Sequence, residues 1–276
     1  MPDGWQWDST LFQGSAAYYE RGRLPYAPGF VETLTAALGL DGTGRLLDVG
    51  CGPGIVTLAL APLFAEAVGL DPDRDMLAEA ERQAGLRGLG NTRWVAALAE
   101  DLPAGLGEFR VVVFANSFQW TDRDRVAATV RDMLTPDGAF VHLSDLKDRP
   151  ADPELPLPAV PHGEIADLVR RYLGPVRRAG QGMLVDGTPG REDLVLARAG
   201  FPTLDRHVVP AGHAVERSAD DVVAWVFSMS SSAPHLFADR LDTFERDLRG
   251  VLRTASPAGR FAEVVPPTEM RIWRKS

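Results

Sequence analysis

Leu46 to Gly54 read LLDVGCGPG. Arg45–Val49 is a short apolar run of the kind that forms a buried strand, and the stretch beginning at Ile55, IVTLALAPLFAE, has helical spacing. Between them stand Gly50, Gly52 and Gly54. Glycine accepts the left-handed backbone of a tight turn and, having no Cβ, lets a ligand lie against the main chain, while the helix that follows aims its free N–H groups at the same place. The dinucleotide fingerprint G-x-G-x-x-G/A needs a small last residue for close helix–strand packing. Here the spacing is G-x-G-x-G, and Ile55 occupies that last position. Alone, the turn is compatible with a ligand site or with a structural turn of any α/β protein.

A second apolar run, AVGLDPD from Ala67 to Asp73, stops on Asp71 about twenty residues after the glycines. An acid at that position can accept both hydroxyls of a ribose. Asp71 with Pro72 can also start the helix expected over Asp73 to Gly85, and the two roles are compatible. Further short strands are expected at Thr92–Leu98, Arg110–Ala115 and Ala139–Ser144, with helical patterns between them. Near-continuous apolar strands alternating with helices imply an α/β fold, a parallel sheet covered on both faces. In such sheets ligands bind beyond the carboxyl ends of the strands. Gly50, Asp71, Ala99 and Asn116 all fall just after expected strands, so four separate signals converge on one sheet edge.

These residues resemble the class I S-adenosylmethionine-dependent methyltransferases, in particular the small-molecule branch related to trans-aconitate methyltransferase. The resemblance is carried by LLDVGCGPG (46–54), VGLDPDRDML (68–77), AEDLP (99–103), VVVFANSFQWTD (111–122) and MLTPDGAFV (133–141), in the family's order and spacing. It extends to YYERGRLPYAP (18–28), similar to a segment that closes over the cofactor, and to a last helix and strand in DRLDTFERDLRGVL and TEMRIWRKS. It implies a Rossmann-like, seven-stranded, mostly parallel sheet with helices on both faces. The last strand would lie antiparallel between the fifth and sixth, and an inserted helical cap would complete the fold. The implied cofactor is S-adenosyl-L-methionine and the implied partner a small-molecule methyl acceptor.

The resemblance also assigns roles. Gly50, Gly52 and Gly54 would admit the donor's methionine and ribose portions to the backbone, and Asp48 would orient the turn or the amino group. Asp71 would take the ribose hydroxyls. The backbone of Ala99, with Glu100 nearby, would meet the adenine, although Leu98 stands where relatives often carry Asp. Asn116 would lie beside the sulfonium. Phe118 and Trp120, alternately spaced, either face the cation or the adenine or belong to the core. Gln119 occupies a position where relatives commonly carry His, and Gln takes no proton. Arg23 could pair with the donor's carboxylate. Tyr18, Tyr19 and Tyr26 could line the pocket mouth or simply pack. His142, near the active edge, is a substrate-pocket candidate or a structural histidine. A methyl sulfonium is already a good electrophile, so alignment and exclusion of water carry much of the work, and no general base is assigned. No metal-ligand spacing is present.

Composition agrees with an ordinary globular enzyme: 276 residues, 45% hydrophobic and 24% charged. The net charge of -9 argues against nucleic-acid binding, which draws its affinity from Lys and Arg. One cysteine, Cys51, excludes an internal disulfide and, lying inside the glycine turn with no local base, reads as packing. No segment has the length of a membrane span, and MPDGWQWDST lacks secretory features, so a cytoplasmic location and no membrane partner are expected. The expected organisation is an N-terminal segment and donor-binding core over 1–147, a cap insertion over 148–190 opened by five prolines in Asp148–Gly163, and the remaining fold with further helical cap elements over 191–276. That proline-rich stretch is either a substrate cap or a surface connection. Oligomeric state and acceptor are left open. Two other functions fit the same motifs: a methyltransferase-like protein that uses the bound sulfonium for a non-methylating reaction, and a noncatalytic binding module.

Overall fold

The computed structural model describes residues 8, 10–146, 155–179, 182–184 and 192–275. Of the expected cap insertion, residues 148–154, 180, 181 and 185–190 therefore lie outside the described residues. In chain order the elements are α1 (Ala16–Gly22), α2 (Phe30–Leu38), β1 (Arg45–Val49), α3 (Ile55–Leu60), β2 (Glu66–Asp71), α4 (Arg74–Leu86), β3 (Thr92–Ala96), β4 (Phe109–Ala115), α5 (Arg123–Met133), β5 (Leu134–Asp145) and α6 (His162–Leu173). There follow β6 (Arg177–Ala179), β7 (Gly182–Leu184), α7 (Glu192–Arg198), β8 (Leu204–Val209), β9 (Ala214–Ser218), α8 (Ala219–Phe227), α9 (Leu241–Ala255), β10 (Arg260–Val264) and β11 (Thr268–Arg274).

The main sheet has seven strands in the order β3-β2-β1-β4-β5-β11-β8. Strands β1 to β5 pair in parallel, and β11 runs antiparallel to both β5 and β8, Ile272 facing Val141 on one side and Asp205 on the other. This is the Rossmann-like order, with the late strand inserted where the resemblance implied. The strand-order reversal lies between β1 and β4, whose carboxyl ends therefore flank the crevice in which such sheets bind ligands.

Period-two alternation divides the sheet residues between two cores. Leu47, Val49, Val68, Leu70, Val112, Phe114 and Phe140 face α5 and α7. Leu46, Ala67, Val111, Val113, Val141 and Leu143 face α2 and α3. A third apolar cluster joins α6, α8, α9 and β10 into the cap, with Phe237 and Phe244 stacked 3.9 Å apart between ring centres. Helix α9 buries Phe244, Leu248 and Leu252 at four-residue spacing. It begins at Leu241, after a 3-10 turn that kinks at Ala238, which has a φ of 48°.

Candidate functional site

A cleft opens where the carboxyl ends of β1, β2, β3 and β4 meet the N-terminal segment. Gly50 and Gly52 line it from the turn after β1, Asp71 and Pro72 from the end of β2, Leu98 to Glu100 from the segment after β3, and Asn116, Ser117, Trp120 and Thr121 from beyond β4. Met76 adds a wall from α4, while Phe12 and Tyr19 close the outer side.

The turn is held by the sheet beneath it: Gly50 and Cys51 N–H both donate to the Leu70 carbonyl, at 2.7 and 3.1 Å. Gly50 has a φ of 70°, and a Cβ there would lie 2.6 Å from the Ser117 Cβ, so glycine is required twice over. Gly52 differs. Its φ is 54° and a Cβ would meet nothing within 4 Å, so what it leaves bare is the cleft itself. Gly54 does not line the cleft. It caps α3 in the left-handed conformation, and a Cβ would strike Trp94 of β3 at 2.7 Å, so the third glycine serves packing.

Asp71 is nine-tenths buried. One carboxylate oxygen accepts from Gly52 N–H at 2.9 Å and the other from Asp73 N–H at 2.9 Å. Burial pushes its pKa up to about 6, against the pull of those two hydrogen bonds. The helix-capping role weighed for Asp71 falls to its neighbour: Asp73 accepts from Asp75 and Met76 N–H and caps α4. Asp71 is thereby left to the cleft and the glycine turn.

Asp48 is fully buried under the turn and does not line the cleft. Thr57 Oγ1 donates to its Oδ2 at 2.6 Å, Oδ1 has no hydrogen-bond partner, and burial raises its pKa to about 7. Cys51 is also buried, and burial pushes its thiol well up, the condition of an inert packing residue.

On the β3 side of the cleft, Ala99 heads a 3-10 turn, a position whose N–H has no partner within the turn. Glu100 lines the cleft but is already engaged, its Oε1 accepting from Asp122 N–H at 2.6 Å. Beyond β4, Asn116 adopts a φ of 53°, a left-handed conformation that Asn tolerates better than most residues. Its N–H donates to Leu143 O, its side-chain amide donates to Tyr26 Oη at 3.3 Å, and its carbonyl accepts from Gln119 Nε2 at 2.7 Å. Ser117 Oγ donates to Val49 O at 2.5 Å and ties this loop to β1. Tyr26 and Gln119 thus brace a cleft residue without lining the cleft.

Several residues assigned from the sequence stand elsewhere. Phe118 is fully buried, packed against Phe114 at 5.0 Å and Phe140 at 5.2 Å. It begins a 3-10 turn, where residues two apart point in very different directions, so Trp120 reaches the cleft and Phe118 the core. Tyr18 packs on Phe227 of the cap at 5.2 Å and does not line the cleft. Arg23 donates from Nη2 to Ser228 O at 2.7 Å and lies 4.7 Å over the Tyr19 ring, behind the cleft wall. His142 is buried within β5, where desolvation lowers its pKa, and does not line the cleft. Phe12, Met76, Leu98, Ser117 and Thr121 were not read as site residues. Met76, Ser117 and Thr121 sit inside family-like motifs that could have flagged them, and Phe12 does not.

Residues 46–138 match the model of the methyltransferase domain family. Within those residues the chain carries a methyltransferase domain. Over 97 residues it is 35% identical to a probable S-adenosylmethionine-dependent methyltransferase, CRG1, of Saccharomyces cerevisiae, a stretch covering 34% of this chain and 33% of that protein. Over 112 residues it is 30% identical to an uncharacterised methyltransferase, YcgJ, of Bacillus subtilis, covering 40% of this chain and 44% of YcgJ. The matched stretch thus spans less than half the length of either relative. The crystal structure of YcgJ superposes with a TM-score of 0.51 at 16% identity, covering 89% of this chain and 97% of YcgJ, which extends the shared fold well beyond the domain.

Domains of this class use S-adenosylmethionine, and the residues present fit that molecule. Gly52 leaves an uncovered stretch of backbone facing the cleft. Asp71 keeps further acceptor capacity on both carboxylate oxygens. Asp48 holds an unpartnered buried oxygen two residues before Gly50. No group of His, Cys, Asp and Glu able to hold a metal occurs among the described residues. Nor is any helix among them long and apolar enough to cross a membrane.

Proposed function

We propose that this protein is an enzyme that transfers the methyl group of S-adenosylmethionine to an O, N or C nucleophile of a small molecule by in-line displacement. The reading is carried by one observation: Gly52, Asp71, Ala99 and Asn116, from four separate strand ends, converge on one cleft of a methyltransferase domain. The bound donor supplies an electrophilic methyl on a positively charged sulfur.

The chain's own residues bind and orient. Asp71 accepts the ribose hydroxyls in its ionised form, and the Gly52 N–H that donates to Asp71 keeps that carboxylate fixed. Ala99 offers its N–H at the adenine edge. Asn116, clamped by Tyr26 and Gln119, fixes the far end of the cleft where the reacting centre lies. Phe12 and Trp120, with ring centres 6.0 Å apart, exclude water from the mouth. A small-molecule acceptor, not a nucleic acid, suits the net charge of -9, and a cytoplasmic setting suits a chain whose one cysteine is free and buried.

Calorimetric titration with S-adenosylmethionine tests the donor site: stoichiometric binding that is weakened in Asp71→Ala is expected, and unchanged affinity in that variant overturns the ribose assignment. Formation of S-adenosylhomocysteine in the presence of an acceptor tests the reaction.

A further inference from the structure

The cap contains a second cavity of about 500 Å³, between α6 and the end of α8, that shares no lining residue with the first cleft. Its size falls in the range of small-molecule sites. Ile165, Val169, Leu173 and Met229 make its walls apolar, and the Trp225 ring supplies a flat aromatic surface. The cavity also has a built polar point. His162, the first residue of α6, lines it with its ring edge-on to Trp225, the centres 4.9 Å apart.

The His162 ring has a fixed anchor behind it. Its Nε2 lies 3.1 Å from Oε1 of Glu263, a carboxylate only 7% exposed in its side chain. Glu263 is itself gripped by Arg217 Nη1 at 3.1 Å, and Arg217 Nη2 donates to the Gly22 and Asp221 carbonyls at 2.8 Å each. A carboxylate at Nε2 keeps the proton on that nitrogen, so a neutral His162 presents Nδ1 as an acceptor. Arg170, Ser231 and Ser232 also line the cavity, Arg170 paired with Asp167 and Ser232 Oγ donating to Val226 O. An apolar wall, a flat aromatic face and the acceptor of His162, anchored from behind, together select for a particular ligand chemistry.

We propose that this cavity binds a small aromatic molecule bearing a hydroxyl group, its ring system packed on Trp225 and its O–H donating to His162 Nδ1. The site goes beyond the methyl-transfer reading and stands independently of it. Arg23 supplies a physical link between the two sites: it rests on Tyr19, a wall of the donor cleft, and donates to Ser228, which lies between the cavity residues Trp225 and Met229.

The probes are 2-naphthol and 2-methoxynaphthalene, titrated calorimetrically into the full chain without any methyl donor. The expected result is 1:1 binding of both, with 2-naphthol about fivefold tighter, the scale of one neutral hydrogen bond. Ala166→Trp, which fills the cavity from α6, abolishes both. His162→Phe retains binding of the methoxy compound and erases the preference for naphthol. Binding of S-adenosylhomocysteine by Ala166→Trp serves as the folding control and separates failure of the cavity from failure of the donor site. Absence of 1:1 naphthol binding, or binding untouched by Ala166→Trp in the folded variant, overturns the site. Equal affinity for the two probes in the native chain, or a naphthol preference that survives His162→Phe, overturns the role of the hydroxyl.

Discussion

At the end of β2 the buried carboxyl of Asp71 has its pKa pushed up to about 6, where a free aspartate titrates near 3.9. The role proposed for it toward a ribose requires the ionised form, so donor affinity measured by calorimetry should be level above pH 7 and fall by up to about tenfold per unit below pH 6. Asp71→Asn should weaken binding by about 1.5–3 kcal/mol, the worth of hydrogen bonds to a charged group, and should flatten that pH dependence. Gly50 admits an equally local test. Gly50→Ala places a methyl 2.6 Å from Ser117 Cβ at a φ of 70°, so thermal unfolding should register a loss of about 1–3 kcal/mol even without ligand. Both residues were legible in the sequence because their signals are local: a glycine turn and an acid ending the next strand. Phe118 was legible only as an aromatic near the site. Which of two residues in a 3-10 turn faces the cleft depends on backbone rotation that composition does not encode. Phe12 had no signal at all and Met76 only its place inside the VGLDPDRDML motif, since both reach the cleft only when α1's approach and α4 are packed onto the sheet.

Among the elements, α1 and α8 pack unusually closely at Gly22, where a Cβ would fall 2.5 Å from the Ala224 backbone. Gly22 is not in a left-handed conformation, so the constraint is purely one of space between two helices. Gly22→Ala should push α1 away from the cap. Because α1 carries Tyr19 on the cleft wall, a several-fold drop in donor affinity should accompany the loss of stability, measured by calorimetry and urea unfolding on the same variant. The start of α8 offers a contrasting test. Ser218 Oγ accepts from Asp221 N–H while Asp221 Oδ2 accepts from Ser218 N–H, a reciprocal cap. Ser218→Ala should cost about 1 kcal/mol in urea unfolding and leave donor affinity unchanged. Strands β1 to β5 were readable from apolar runs and turn residues. The cap core was much less so, because α6, α8, α9 and β10 are brought together from distant segments and their partners share no local pattern.

For the molecule as a whole, two buried carboxyls set an unusual slope of stability against pH. The unfolded chain releases their protons near pH 4, while the folded chain retains them to about 6 on Asp71 and about 7 on Asp48. Across that interval the folded state binds more protons, so their contribution to stability declines as pH rises from about 4 to about 7. Chemical unfolding of Asp71→Asn should therefore lose less stability between pH 5 and pH 7 than the native chain does. Added S-adenosylhomocysteine should oppose the decline, since it binds the ionised form. The insertion of β11 between β5 and β8 bears on a different process, the order in which a ribosome delivers the fold. The donor-binding strands are complete at Ala115, whereas the strand that closes the sheet starts only at Thr268. At ribosomal speeds the interval is roughly ten to thirty seconds, during which β5 lacks one neighbour and offers a bare edge to other nascent chains. The cradle for the donor is thus the first part of this sheet to be made, and a cell rich in that small molecule can begin stabilising the protein before its translation has ended.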